Sequence, residues 1–134
     1  MSKDADSNIV VRGNQRTIEY AICADGSMPA KEFVEGLDES EQRKLDTLFR
    51  RLAAMGKIFN KEQFKQVKGK IFGFKRYQTR VGCFQIGMRW VLTHGFIKKG
   101  DRWKKSDIER AERIMEEHLA REAAKKKKAG RQGK

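Results

Sequence analysis

Residues 71–97 read IFGFKRYQTRVGCFQIGMRWVLTHGFI. The β-branched and aromatic residues of this run fall into three blocks, Ile71–Tyr77, Thr79–Ile86 and Arg89–Ile97, parted only by Gln78 and by Gly87-Met88. Links so short leave no room for a crossover helix, so the blocks predict three antiparallel strands joined by hairpins. Working outward toward the N-terminus, Leu45, Leu48, Phe49, Leu52 and Met55 recur at helical spacing. Asp38 and Glu41 form a capping box ahead of that stripe, and Gly56 closes it. Pro29 opens a shorter helical stretch to Leu37, since a first helical turn has no use for the missing N–H. Before it, Arg16–Ala24 carries Thr17, Ile18, Tyr20, Ile22 and Cys23 ahead of Asp25-Gly26, which predicts a strand closed by a turn. Toward the C-terminus, Ser106-Asp107-Ile108-Glu109 reads as a capping box followed by the stripe Ile108, Ala111, Met115 and Leu119. The order is β-α-α-β-β-β-α, an α+β fold around a small antiparallel sheet that ends in a helix, without internal repeats.

Charge is placed rather than spread. Between Lys57 and Lys105 fourteen Lys and Arg face only Glu62 and Asp101, whereas residues 1–56 sum to −2 and residues 106–119 to −3. Such clustering marks a face for a polyanion, and phosphate is the expected counterpart because cations displace the counterions condensed on a nucleic acid. A chain of 134 residues supports one modest core, expected over residues 15–119. Residues 1–14 show no periodicity and residues 120–134 form a low-complexity basic tail of net charge +6, so both ends are expected to be disordered. Cys23 and Cys83 with two His are too few and too scattered for a disulfide framework or a metal site, and no cofactor is expected. Met1–Asn8 is polar, and no apolar run approaches the roughly 20 residues of a membrane span, so a soluble cytoplasmic protein is expected.

The run Arg80-Val81-Gly82-Cys83-Phe84, then Gly87-Met88-Arg89-Trp90-Val91-Leu92-Thr93-His94-Gly95-Phe96-Ile97-Lys98-Lys99, then Glu109-Arg110-Ala111, resembles the RelE/ParE toxin superfamily. Within it the match is to the phage-derived HigB-like branch. The likeness spans residues 16–119, and its most specific element is the ending Leu92, Gly95-Phe96, Ile97, Lys98-Lys99. It implies a twisted antiparallel sheet with two helices on one face and a basic cleft on the other. It also implies the toxin of a type II toxin–antitoxin system, partnered by a small DNA-binding antitoxin and cutting messenger RNA on the ribosome. The alternatives are inhibition of DNA gyrase by binding, as ParE-like members do, and a noncatalytic nucleic-acid-binding protein suggested by charge alone. Gly73 and Lys75 depart from the family pattern, which has an acid and an arginine there, and Thr79 stands where an aromatic is common.

Without a metal, RNA is cleaved when its own 2′-hydroxyl attacks the adjacent phosphorus, which requires a proton acceptor, a proton donor and cations against the developing charge. Arg80 and Arg89 suit the last task, because a guanidinium fork matches phosphate oxygens. His94 suits proton transfer, and a regular strand sets it on one face with Trp90 and Leu92. Lys98 and Lys99 complete the candidate catalytic set of Arg80, His94, Lys98 and Lys99. Candidate RNA-binding residues are Lys68, Lys70, Lys75, Arg76 and Arg89, with Tyr77 and Trp103 as stacking platforms. Phe72, Phe74 and Phe84 are assigned to the core, and His118, beside the last helical stripe, to a structural role.

Overall fold

The computed structural model describes residues 7–100 and 102–132. A six-stranded sheet runs in the order β1-β2-β6-β5-β4-β3. Its strands are β1 (Ile9–Arg12), β2 (Thr17–Tyr20), β3 (Phe64–Lys68), β4 (Ile71–Arg76), β5 (Thr79–Ile86) and β6 (Arg89–Ile97). The helices are α1 (Pro29–Glu35), α2 (Glu39–Met55) and α3 (Lys105–Gln132). The α+β class and the three hairpin-linked strands follow the sequence reading. Every neighbouring pair is antiparallel except β2 and β6, which run parallel with Thr17 opposite Arg89 and Tyr20 opposite Leu92.

Local chemistry explains the helix ends. The Asp38 carboxylate accepts from the Glu41 N–H at 2.8 Å, and Gly56 closes α2 in the left-handed region at φ +78°. Leu45, Leu48, Phe49, Leu52 and Ala53 form the buried stripe, whereas Met55, expected within it, points to solvent. The cap of α3 sits two residues earlier than expected: the Lys104 carbonyl accepts from the Asp107 and Ile108 N–H groups, while the Asp107 carboxylate reaches back to the Lys104 N–H. Its buried stripe passes through Ala111, Ile114 and His118, leaving Leu119 exposed.

Two strands and a helical extension lie where the sequence suggests irregular chain. Ile9-Val10-Val11 is too short to show a period, yet it pairs with β2; residues 1–6, the rest of the stretch expected to be disordered apart from its turns, fall outside the described residues. Phe64–Lys68 reads as basic loop because Lys and Gln carry little β propensity, but it forms the sheet edge, where lysines discourage further pairing. Helix α3 continues past Leu119 to Gln132, because Ala, Lys, Arg and Glu extend a helix already nucleated and packed.

Both faces of the sheet are covered. Helices α1 and α2 pack with Ile18, Phe74, Cys83, Trp90 and Leu92 on one side. On the other, Ala111 and Ile114 of α3 join Trp103 against Ile71, Phe84 and Val91. The open basic cleft expected on that second face is therefore closed by α3 and by Trp103.

Candidate nucleic-acid interface

The expected cations divide between the two ends of the sheet. At one end the β4–β5 hairpin turns at Tyr77, whose φ of +53° is rare for a side chain of its size. Tyr77 is 73 % exposed, and the Arg76 guanidinium lies 4.1 Å from its ring centroid. The end of β6 lies alongside, since the Lys98 N–H donates to the Gln78 carbonyl at 2.7 Å. Lys98 is half-buried there and Lys99 exposed. Lys75 points to the sheet edge and is held by the Glu62 carboxylate at 3.0 Å.

Arg80 makes this end rigid. Its side chain is 3 % exposed, and its guanidinium donates to the carbonyls of Tyr77, Thr79 and Gly100, the last at 2.7 Å. The fork expected to grip a phosphate is thus committed to backbone, tying the hairpin turn to the chain that follows Lys99. One side chain thus serves three carbonyls, from both sides of the hairpin turn and from the chain after β6.

His94 lies on the opposite face from the one a regular strand gives it. Val81 pairs with Gly95 but Cys83 pairs with Leu92, so β6 carries one extra residue between the two pairings. That bulge inverts the alternation. Gly95 therefore shares the face of Leu92, and a Cβ there would sit 2.1 Å from the Phe33 ring of α1. His94 turns to the α3 side, stacked on Phe96 at 5.2 Å and edge-on to Trp103 at 6.2 Å. It is 1 % exposed, and burial, helped by Arg110, lowers its pKa to about 4. A neutral, enclosed imidazole is a core group. It reaches no solvent-borne substrate in this conformation.

Trp103 is also withdrawn from the expected stacking role. It is 7 % exposed and lies flat over Gly73 and Gly82, where added Cβ atoms would come within 2.7 Å and 3.1 Å of its ring. The departure at Gly73 thus makes the seat for this indole. Arg89 stands on the other half of the sheet, where it bonds Glu19 at 2.8 Å and both Glu122 oxygens at 2.7 and 2.8 Å. Its acidic partners lie 70 and 33 positions away, and no local spacing announces them. Lys68 and Lys70 flank the Gly69 turn at φ +55° and are exposed, at the end of the sheet remote from Tyr77.

Glu19, His118 and Glu122 bring three possible metal ligands within 4.8 Å of one another. The hydrogen bonds argue against an ion. His118 Nδ1 accepts from the Ile22 N–H at 3.0 Å, which leaves the proton on Nε2, donated to Glu122 at 3.0 Å. The nitrogen facing the carboxylates therefore has no free lone pair, and the Arg89 guanidinium already supplies the positive charge. Burial raises the Glu19 pKa, whereas the hydrogen bond from Arg89 lowers that of Glu122. His118 is buried within the α3 stripe, with both ring nitrogens hydrogen-bonded. Cys23 and Cys83 are free thiols, and burial raises both pKa values.

A small α+β protein with a helix-covered mixed sheet and a braced cationic hairpin tip is the class these features define. The chain belongs to the family described as Phage derived protein Gp49-like (DUF891), which matches residues 32–116, from α1 into α3. That phage-derived family is part of the RelE/HigB toxin-like group. No curated protein matches the chain. Among the described residues no helix is long and apolar enough to cross a membrane.

Proposed function

We propose that this protein is the toxin of a type II toxin–antitoxin pair and cuts messenger RNA on the ribosome, in the cytoplasm, without a metal ion. The observation that supports the reading is the tip itself: Arg76, Lys98 and Lys99 gathered beside an exposed Tyr77, with the buried Arg80 bracing the turn that carries them. In this mechanism Tyr77 stacks on an unpaired base and the cations take the scissile phosphate. The 2′-hydroxyl gives its proton to water and attacks phosphorus to form a 2′,3′-cyclic phosphate, the bond to the 5′ oxygen breaks, and Lys98 or Lys99 donates a proton to that leaving oxygen. Arg80 and His94 serve as positioning residues. A cognate small DNA-binding antitoxin silences the protein by covering the tip with acidic residues.

A second reading, inhibition by binding without cleavage, is favoured by the enclosure of His94, because it removes an acid–base group from the surface. Induction in cells, with mapping of message 5′ ends on ribosomes, separates the two. Cleaved messages, reduced about 100-fold by Lys98→Ala with Lys99→Ala in a folded variant, are the expected result. Growth arrest with intact messages and intact DNA would instead establish noncatalytic blocking, and broken DNA would point to a gyrase inhibitor.

A further inference from the structure

Beyond the tip, one other region joins charge to aromatic surface. Where β5 turns into β6, the chain leaving α2 arches over the sheet and encloses a groove of about 720 Å³. Arg16, Lys57, Lys61 and Lys65 line it, and among the described residues no carboxylate does. Phe59 stands at its margin, 85 % exposed, with the Lys57 ammonium 5.9 Å from its ring centroid. A bare phenyl ring in a chain this basic is not there to fill the core, which Phe64 and Phe72 already fill by meeting Trp90 edge-on at 5.3 and 5.2 Å.

Two donors set this groove apart from an ordinary basic surface. Trp90 is 5 % exposed and lines the groove, yet its indole Nε1–H has no acceptor among the described residues. Arg16 Nε is buried and likewise without an acceptor, although its Nη1 donates to the Gln15 carbonyl at 2.8 Å. Buried donors in native proteins are nearly always satisfied, so two unpartnered donors on side chains that line one groove suit a ligand rich in acceptors, reached when those side chains shift to admit it. Phosphate and base carbonyl oxygens are such acceptors. A base stacks on a ring, and clustered cations neutralise a backbone, so the chemistry is that of single-stranded RNA.

We infer that the groove between Phe59 and Trp90 is a second RNA-binding site, holding a single-stranded nucleotide segment with a base on Phe59 and phosphates among Arg16, Lys57, Lys61 and Lys65. This rests on the RNA-directed reading above and extends it, because the Gln85–Trp90 part of the groove and the Tyr77 tip lie at opposite ends of β5. One RNA strand can engage both, so that groove binding raises the local concentration of message at the tip.

The test uses the full chain and a fluorescein-labelled oligouridylate, with fluorescence anisotropy read over a series of salt concentrations. Phe59→Ala is expected to weaken binding about 10-fold. Lys57→Ala with Lys61→Ala should reduce the logarithmic salt slope by about 1.4, since each phosphate left unneutralised on a single strand lowers it by about 0.7. All three substitutions are at exposed positions, and circular dichroism verifies the fold of both variants. The Trp90 indole N–H resonance should shift as the RNA is added. Unchanged affinity and slope in these variants overturn the groove, even where Arg76→Ala and Lys99→Ala weaken binding and so uphold the tip. A wild-type chain that binds no RNA at low salt overturns both readings. Tight groove-dependent binding of an acidic peptide, with none of the oligouridylate, overturns the RNA assignment.

Discussion

Replacing His94 by Gln should change the pH dependence of stability more than stability at neutral pH. The imidazole is 1 % exposed and its pKa is held at about 4, whereas in the unfolded chain it returns to its ordinary value of 6.5. Between those values the unfolded state binds the extra proton, so stability rises with pH. The contribution is fully present above the unfolded value and is lost as pH falls toward the folded one. Integrating the two titrations from neutral pH to about pH 4.5 gives a loss of about 2 kcal/mol from this group alone. Urea unfolding of wild type and His94→Gln at both pH values isolates it, because Glu19, Glu122 and His118 titrate in both proteins and cancel in the difference. The wild type should lose about 2 kcal/mol more than the variant. Parallel losses would show that His94 titrates normally, and the enclosure by Phe96 and Trp103 would be refuted.

Arg80→Ala should destabilise the fold by about 3 kcal/mol, since it removes the charge-assisted hydrogen bonds of a buried guanidinium to the Tyr77, Thr79 and Gly100 carbonyls, and Arg80→Lys should not restore it; chemical unfolding measures both. Gly82→Ala should cost about 2 kcal/mol, because its Cβ would lie 2.6 Å from Thr93 Oγ1 and 3.1 Å from the Trp103 ring, and a lowered melting temperature with altered tryptophan fluorescence would register it. Ending the chain after Leu119 removes Glu122 and should cost about 1 kcal/mol, a figure discounted because Arg89 and Glu122 are each a third exposed; ending it after Lys126 keeps the pair and should leave the melting temperature unchanged.

The sequence discloses those parts of the fold whose causes are local. Hairpin links, the Asp38 cap and the α2 stripe each depend on residues a few positions apart, and each is where its spacing puts it, apart from Met55 at the end of the stripe. The site is far less legible. Bulging of β6 decides which face His94 joins, and an inserted residue in one strand is defined only by the partner strand. Arg80 and Arg89 look alike in sequence, as arginines in basic strands. One satisfies carbonyls, of which that of Gly100 lies 20 positions away, and the other neutralises two carboxylates that arrive from 70 and 33 positions away. Trp103, flanked by Arg102 and Lys104, has the sequence surroundings of a stacking residue, but Gly73 and Gly82 open a flat seat that draws it inside.

The parallel pairing of β2 with β6 sets an order on assembly. Thr17–Tyr20 emerges early in synthesis, yet its partner Arg89–Leu92 is made only after both early helices and three strands. An antiparallel hairpin closes as soon as its second strand exists, but this ladder must wait and must draw together the ends of a long intervening loop. Until then β2 has only β1 to pair with, and the apolar faces of α1 and α2 lack much of the sheet they cover. The nascent chain is therefore held open by its own topology, and a product cut short before β6 has no central strand on which to close.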